Sequence, residues 1–250
     1  MTYPAACDPM TASEMDDHRA NRLLARIQPA GFARLLPHLE VVPLVPRDIL
    51  VETGALLKEV YFPHSGVVCL MASMRSGVAE MATVGCEGFG GFEAVLGGQT
   101  AAYRALVQLA GSASRVSVPA LRAAMDRSPT IRELLLRYVR FFLIQALQSV
   151  ACNTLHDVDA RCAQWLLRAQ DRGGESETLN LTQEFLAEML GVQRPSVTLV
   201  ARSLQKAGLI RYRRGVIAIT NRRGLEEAAC ECYGIVRRAL DEILPPVLQR

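Results

Sequence analysis

Histidine is scarce and scattered in this 250-residue chain, and no motif of paired cysteines accompanies it. His18, His38, His64 and His156 lie far apart, and only His64 falls in the β-rich region described below. A metal-dependent β-barrel enzyme needs clustered ligands, and no nucleophile with a nearby base emerges either. No catalytic residue is therefore assigned. The seven cysteines, Cys7, Cys69, Cys86, Cys152, Cys162, Cys230 and Cys232, are odd in number and irregular in spacing. Without a C-x-x-C pair, the usual zinc and redox motifs are missing. On a helix Cys230 and Cys232 would point about 200° apart and chelate poorly. The expectation is buried or idle thiols in a reducing compartment, with no metal and no cofactor.

A leader is also missing. The first residues mix Asp8, Glu14, Asp16, Asp17, His18 and Arg19 with small side chains, unlike the positive start and apolar run of a signal peptide. The apolar stretches read as short of the roughly 20 residues that span a bilayer. These absences imply a cytoplasmic protein with no membrane partner. Net charge is low as well, +3, so charge says nothing about a partner until it is resolved along the chain.

What is present is globular. Hydrophobic residues make up 50% and charged residues 21%, a balance that excludes disorder by composition. Residues 1–22 read as a loose tail. Leu23, Leu24, Ile27, Phe32, Leu35, Leu36 and Leu39 suggest short helices broken at Pro29-Ala30-Gly31. From Glu40 to about Val118 the pattern is β. Short runs at 41–42, 49–51, 60–62, 67–71, 79–84, 105–109 and 114–118 are punctuated by Gly54, Gly66, Gly77, Gly85, Gly97, Gly98 and Gly111. Such spacing predicts an all-β barrel or sandwich.

Pro119 opens a helical part, and Thr130–Thr154 has no breaker. Ile131, Leu134, Leu135, Tyr138, Phe142, Gln145 and Ser149 recur at the helical period. Leu136, Val139, Phe141, Leu143, Ile144 and Leu147 make the other faces apolar too. A helix apolar all round is buried on two sides. One side is expected against the barrel. The other is expected against the same helix of a second subunit, with the first set as the dimer contacts; the alternative is a core helix of a monomer.

Asp157–Arg172 reads as a further helix and 171–178 as a polar loop. Then Leu179–Leu181 suggests a short strand, and Thr182 is a helix N-cap. Phe185, Leu186, Met189 and Leu190 line a short helix that ends at Gly191. After the turn Gly191-Val192-Gln193, Arg194-Pro195 starts a second helix with proline in its first turn. Val197, Val200, Ala201 and Leu204 face inward, and Gly208 closes it. This is helix-turn-helix geometry. The outer face carries Arg194, Ser196, Thr198, Leu199, Arg202 and Gln205, suited to phosphates and base edges. Leu209–Tyr212 and Val216–Ile219, joined through Arg213-Arg214-Gly215, form a basic hairpin, a wing. Between Gly191 and Gly224 stand Arg194, Arg202, Lys206, Arg211, Arg213, Arg214, Arg222 and Arg223, without one Asp or Glu. The small total charge thus conceals a local patch that would bind a phosphate backbone by counterion release.

These residues carry a resemblance. Leu181–Val197 followed by Leu204–Ile210 resembles the helix-turn-helix and wing start of the CRP/FNR family of bacterial transcription regulators. Leu155–Arg161 with Ala163–Leu167 resembles the hinge and first helix of that family's DNA-binding domain, and the likeness spans roughly residues 23–233. It implies an α+β chain of four parts. These are a tail (1–22), a cyclic-nucleotide-binding-like β-roll, a double-stranded β-helix or jelly-roll sensor (23–128), a dimerisation helix (129–155), and a winged helix-turn-helix with a helical C-terminal extension (156–250). It further implies a homodimer, not an enzyme, that reads an inverted repeat of double-stranded DNA and works with RNA polymerase. Thr182, Gln183, Gln193, Arg194, Ser196, Thr198, Arg202, Arg211, Arg213 and Arg214 would contact DNA.

The chain departs from the family in three places. Where cyclic-nucleotide binders hold ribose and phosphate with Gly-Glu and Arg-Ser/Thr, it has Gly91-Phe92 and Thr100-Ala101-Ala102. Losing that arginine removes the bidentate partner of a cyclic phosphate. An effector pocket would then rest on Phe89, Gly91, Phe92, Glu93 and Arg104, and a cyclic-nucleotide regulator using these residues is the alternative reading. The N-terminal tail holds only Cys7, which excludes the iron–sulfur cluster of other members. In the recognition helix Arg194 matches a family arginine, but Pro195 and Leu199 replace an acid and a second arginine, so the preferred DNA sequence should differ.

Overall fold

In the computed structural model, residues 17–75, 77–172 and 178–244 are described. Cys7, and the heart of the expected 171–178 loop, lie outside them. The tail reading fails at its end. His18 and Asn21 are buried, Asn21 Nδ2 donates to the carbonyls of Pro63 and Gly88 (2.8 Å each), and its Oδ1 accepts from the amides of Leu23 and Leu24. Pro29 begins a helix rather than breaking one. Its missing N–H costs nothing in a first turn, and α1 runs Pro29–Leu35.

Every expected strand of the β region forms. They are β1 (Glu40–Leu44), β2 (Ile49–Val51), β3 (Glu59–Pro63), β4 (Val67–Met74), β5 (Gly77–Val84), β6 (Arg104–Leu109) and β7 (Gly111–Ser117). They pair antiparallel as two facing sheets, β1-β7-β3 and β2-β6-β4-β5. Leu70, Ala82, Val84, Tyr103, Val107 and Ala113 fill part of the space between. Two glycines are set by close approach: a Cβ on Gly88 would collide with the Tyr138 ring, and one on Gly111 with the Ser65 carbonyl.

Ser117 caps α2 (Val118–Arg127), its Oγ accepting from the Ala120 amide. The long helix is α3 (Pro129–Leu155). By length and composition α3 is apolar enough to cross a bilayer, contrary to the sequence expectation. Here it packs within the chain, against α2, β5 and the C-terminal helix α8 (Cys232–Ile243). The dimer face inferred from sequence is turned inward. Ile131, Leu135, Tyr138, Phe142 and Gln145 are buried in the protomer's own core, and Leu134 and Ser149 are half-buried. Leu155 is exposed at the helix end, and so along its length are Leu136, Leu143, Leu147 and Val150, at 41%, 57%, 62% and 67%. At about 100° per residue the latter fall within roughly 40° of one line, opposite the buried face.

The C-terminal elements are α4 (Val158–Arg172), β8 (Thr178–Asn180), α5 (Gln183–Leu190), α6 (Arg194–Lys206), β9 (Ile210–Arg213), β10 (Val216–Ile219) and α7 (Arg222–Ala228), then α8. They rest on the roll. Val67, Cys69, Met71 and Leu109 share one apolar core with Trp165, Leu166, Phe185 and Met189. A buried polar network crosses the same contact. Arg172 Nε pairs with Glu87 at 2.8 Å, both side chains almost fully buried. Arg168 donates to Gln145 Oε1 (2.6 Å) and Thr83 Oγ1 (3.1 Å), Arg172 also reaches Thr83 Oγ1, and Trp165 Nε1 donates to Glu80 (3.1 Å). Burial and the neighbouring Arg172 lower Arg168 to about 10, and burial raises Glu80.

Candidate nucleic-acid interface

Thr182 caps α5, its Oγ1 accepting from the Phe185 amide at 3.2 Å. Gly191 takes the left-handed conformation (φ 64°) that turns the chain out of α5, and Pro195 sits in the first turn of α6. Phe185, Leu186, Met189 and Leu190 pack with Val197, Val200 and Leu204, so α6 is held by its inner face. β9 and β10 form the wing beside it, and β8 pairs with β10 as a third strand.

The outer face of α6 is open. Arg194, Leu199 and Arg202 are exposed, Ser196 and Thr198 half-buried, and Gln193 lies exposed at the N-cap. Arg211, Arg213 and Arg214 stand exposed on the wing. Arg202, Lys206, Arg211, Arg213 and Arg214 make no ion pair among the described residues. Gln183 and Thr198 hold each other: Thr198 Oγ1 lies 3.0 Å from Gln183 Oε1 and 3.2 Å from the Arg194 carbonyl, its hydrogen shared. The structure brings Gln183, Thr198 and Arg194 together across the helix pair and leaves Thr182, Gln193, Arg202, Arg211, Arg213 and Arg214 exposed and Ser196 half-buried.

Two features were not visible from the run of charges. Arg222 belongs to a different surface, bonded to Asp171, Glu226, Gln170 and Tyr233, and Arg223 pairs with Glu227. And α5 contributes an acid: Glu184 Oε1 lies 2.9 Å from Arg194 Nη1, with both side chains exposed. Residue counting between Gly191 and Gly224 stops short of it. The helix periodicity, which sets α5 across α6, is the signal that would have found it.

The five residues assigned to an effector pocket are all engaged with neighbouring groups of the roll and the long helix. Phe92 packs on Tyr103 and Phe142, with ring centroids 5.3 and 4.3 Å away, and buried Phe89 lies between Phe62 and Tyr138. Glu93 accepts from the Tyr103 hydroxyl (2.8 Å) and the Ala102 amide (3.0 Å). The Gly91 amide donates to Tyr103, and Arg104 pairs with Glu52 at 2.8 Å. Burial, with Glu93 beside it, raises the Tyr103 phenol above its ordinary range.

The cysteines depart from expectation. Cys230 lies before the start of α8 and outside any helix while Cys232 begins the helix, so the helical 200° does not apply. Both thiols turn toward Cys152 and His156 at the end of α3.

A roll joined by a long helix to a helix-turn-helix with a basic wing is the build of a DNA-binding regulator. Residues 160–228 match the Crp-like helix-turn-helix domain. The fold is shared with solved structures of low identity. FixK2 from Bradyrhizobium japonicum superposes with a TM-score of 0.66 at 16% identity, over 77% of this chain and 98% of that one. The c-di-GMP responsive global regulator CLP of Xanthomonas campestris gives 0.62 at 17%, over 77% and 99%. A CRP/FNR family transcriptional regulator from Thermus thermophilus gives 0.59 at 24%, over 76% and 98%. No curated protein sequence matches. The C-terminal half therefore carries a Crp-like helix-turn-helix domain, and the chain as a whole has the fold of the CRP/FNR transcription regulators.

Proposed function

We propose that the chain is a homodimeric, sequence-specific transcription regulator that binds an inverted repeat in double-stranded DNA. The observation that carries this is the open outer face of α6 flanked by a run of unpaired wing arginines. Arg194, Ser196 and Thr198 face base edges; Thr182, Gln183, Gln193, Arg202, Arg211, Arg213 and Arg214 face the phosphates. A two-fold dimer sets its recognition helices about 34 Å apart, one turn of DNA. The exposed line Leu136–Leu143–Leu147–Val150 on α3 supports pairing with a second copy. Its spacings of seven, four and three residues are those of a helix–helix seam, and a 27-residue helix supplies about 40 Å of it.

The roll, residues 23–128, is the regulatory half, 129–155 the dimer helix and 156–250 the DNA-reading half. The chain acts in the cytoplasm, where DNA and RNA polymerase, its second macromolecular partner, are found. The roll is not a canonical cyclic-nucleotide binder: Phe92 packs on Tyr103 and Phe142, and Glu93 and Arg104 are already engaged.

Arg194→Ala is expected to weaken binding to a site selected from random DNA by about 1–3 kcal/mol while leaving binding to scrambled duplex nearly unchanged. Gel-shift titrations of both duplexes check this. Equal affinity of variant and parent for the selected site would overturn the assignment. Before it reaches DNA, Arg194 has to leave Glu184, so the measured loss is net of that exposed pair.

A further inference from the structure

We propose that Cys152, His156, Cys230 and Cys232 hold one zinc ion, and that this ion fastens the hinge of the winged domain to the C-terminal helix. The four ligand atoms all lie within 4.8 Å of one another. Cys152 Sγ is 3.6 Å from Cys230 Sγ, and Cys232 Sγ is 3.4 Å from His156 Nδ1. A tetrahedral zinc with Zn–S near 2.3 Å and Zn–N near 2.05 Å has S–S edges of about 3.8 Å and S–N edges of about 3.6 Å. The set therefore has the size of a single ion. An iron–sulfur cluster has to fit bridging sulfides and several irons between its cysteines, and spreads them wider.

The surroundings are those of a ligand shell. A Glu231 carboxylate oxygen lies 3.2 Å from His156 Nε2, which places the proton there and leaves Nδ1 free to coordinate. The amide of Gln148 donates to Cys232 Sγ at 3.1 Å and that of Gln164 to Cys152 Sγ at 3.5 Å, offsetting charge on coordinated thiolates. All three cysteines are buried. Four protein donors leave no position for substrate, so the site is structural rather than catalytic.

Its place in the chain gives the ion a task. Cys152 and His156 end α3, and Val158 begins the DNA-binding unit; Cys230 and Cys232 sit where that unit passes into α8. The ion closes the base of the whole winged unit. Loading converts three thiols to thiolates and releases three protons to solvent, with no change of oxidation state.

The full chain, made without a histidine tag and purified under reducing conditions, is expected to contain one zinc per chain by elemental mass spectrometry. Cobalt in its place should show the visible bands of a tetrahedral site and thiolate charge transfer. Cys230→Ser with Cys232→Ser should lose the metal. Glu231→Gln, an exposed change that leaves the fold intact, should weaken zinc about 10–100-fold in chelator competition. Less than a tenth of an equivalent after zinc reconstitution, cobalt without thiolate bands, or a Cys152–Cys230 disulfide in the freshly isolated chain would each overturn the proposal. None of these readouts depends on DNA binding.

Discussion

Arg172→Ala is expected to cost about 3–5 kcal/mol of unfolding free energy, because it leaves the Glu87 carboxylate buried without its counter-charge. The two side chains are only 6% and 2% exposed and meet at 2.8 Å. On one side the pair is tightly packed: a Cβ on Gly85 would already touch both the Arg172 side chain and the Glu87 carboxylate. The Gly85 amide, 3.2 Å from Glu87 Oε1, is too little to hold a charge alone. Replacing both partners, Glu87→Gln with Arg172→Met, is expected to recover most of the loss, since an uncharged pair of similar volume leaves no buried charge to desolvate. Urea denaturation checks both. An unchanged midpoint in the single variant sinks the idea that this pair ties α4 to the roll.

Leu143→Glu combined with Leu147→Glu is expected to turn a dimer into a monomer and lower affinity for a palindromic site by about 100- to 10,000-fold, the loss of linking two half-site contacts. Both leucines are more than half exposed in the single chain, so the monomer should keep its stability within about 0.5 kcal/mol. Leu135→Glu provides the contrast: Leu135 is 1% exposed, and a charge there should unfold the chain rather than dissociate it. Sedimentation with circular dichroism separates the outcomes. A double variant that still sediments as a dimer removes α3 as the interface.

The contrast between those leucines marks where sequence reading ran short. α3 was legible as a helix, but it is apolar on nearly every face, so its periodicity could not say which side turned inward. The missing fact was α8, which packs along α3 and takes part of the second side. The strands of the roll were legible because glycines bound them. Both helices of the helix-turn-helix were legible because Thr182, Gly191 and Pro195 mark their ends. The docking of α4 and α5 on the roll was not, since Trp165, Arg168 and Arg172 find Glu80, Thr83 and Glu87 across some eighty residues of chain. The cysteine group escaped for a local reason. A C-x-C read as one helix points apart, whereas this one bends across a helix start.

At the wing tip Arg214 and Gly215 both have positive φ, 50° and 78°, between strands paired at Arg213 and Val216. Such a two-residue turn favours asparagine followed by glycine, because a branched or long side chain in the left-handed region costs roughly 1–2 kcal/mol. Arginine occupies it nonetheless. The tip is therefore a place where local backbone preference and charge are in competition, and charge has prevailed. It extends the chain's cationic reach to the outermost point of the hairpin, where a duplex lying on α6 would present its next phosphates.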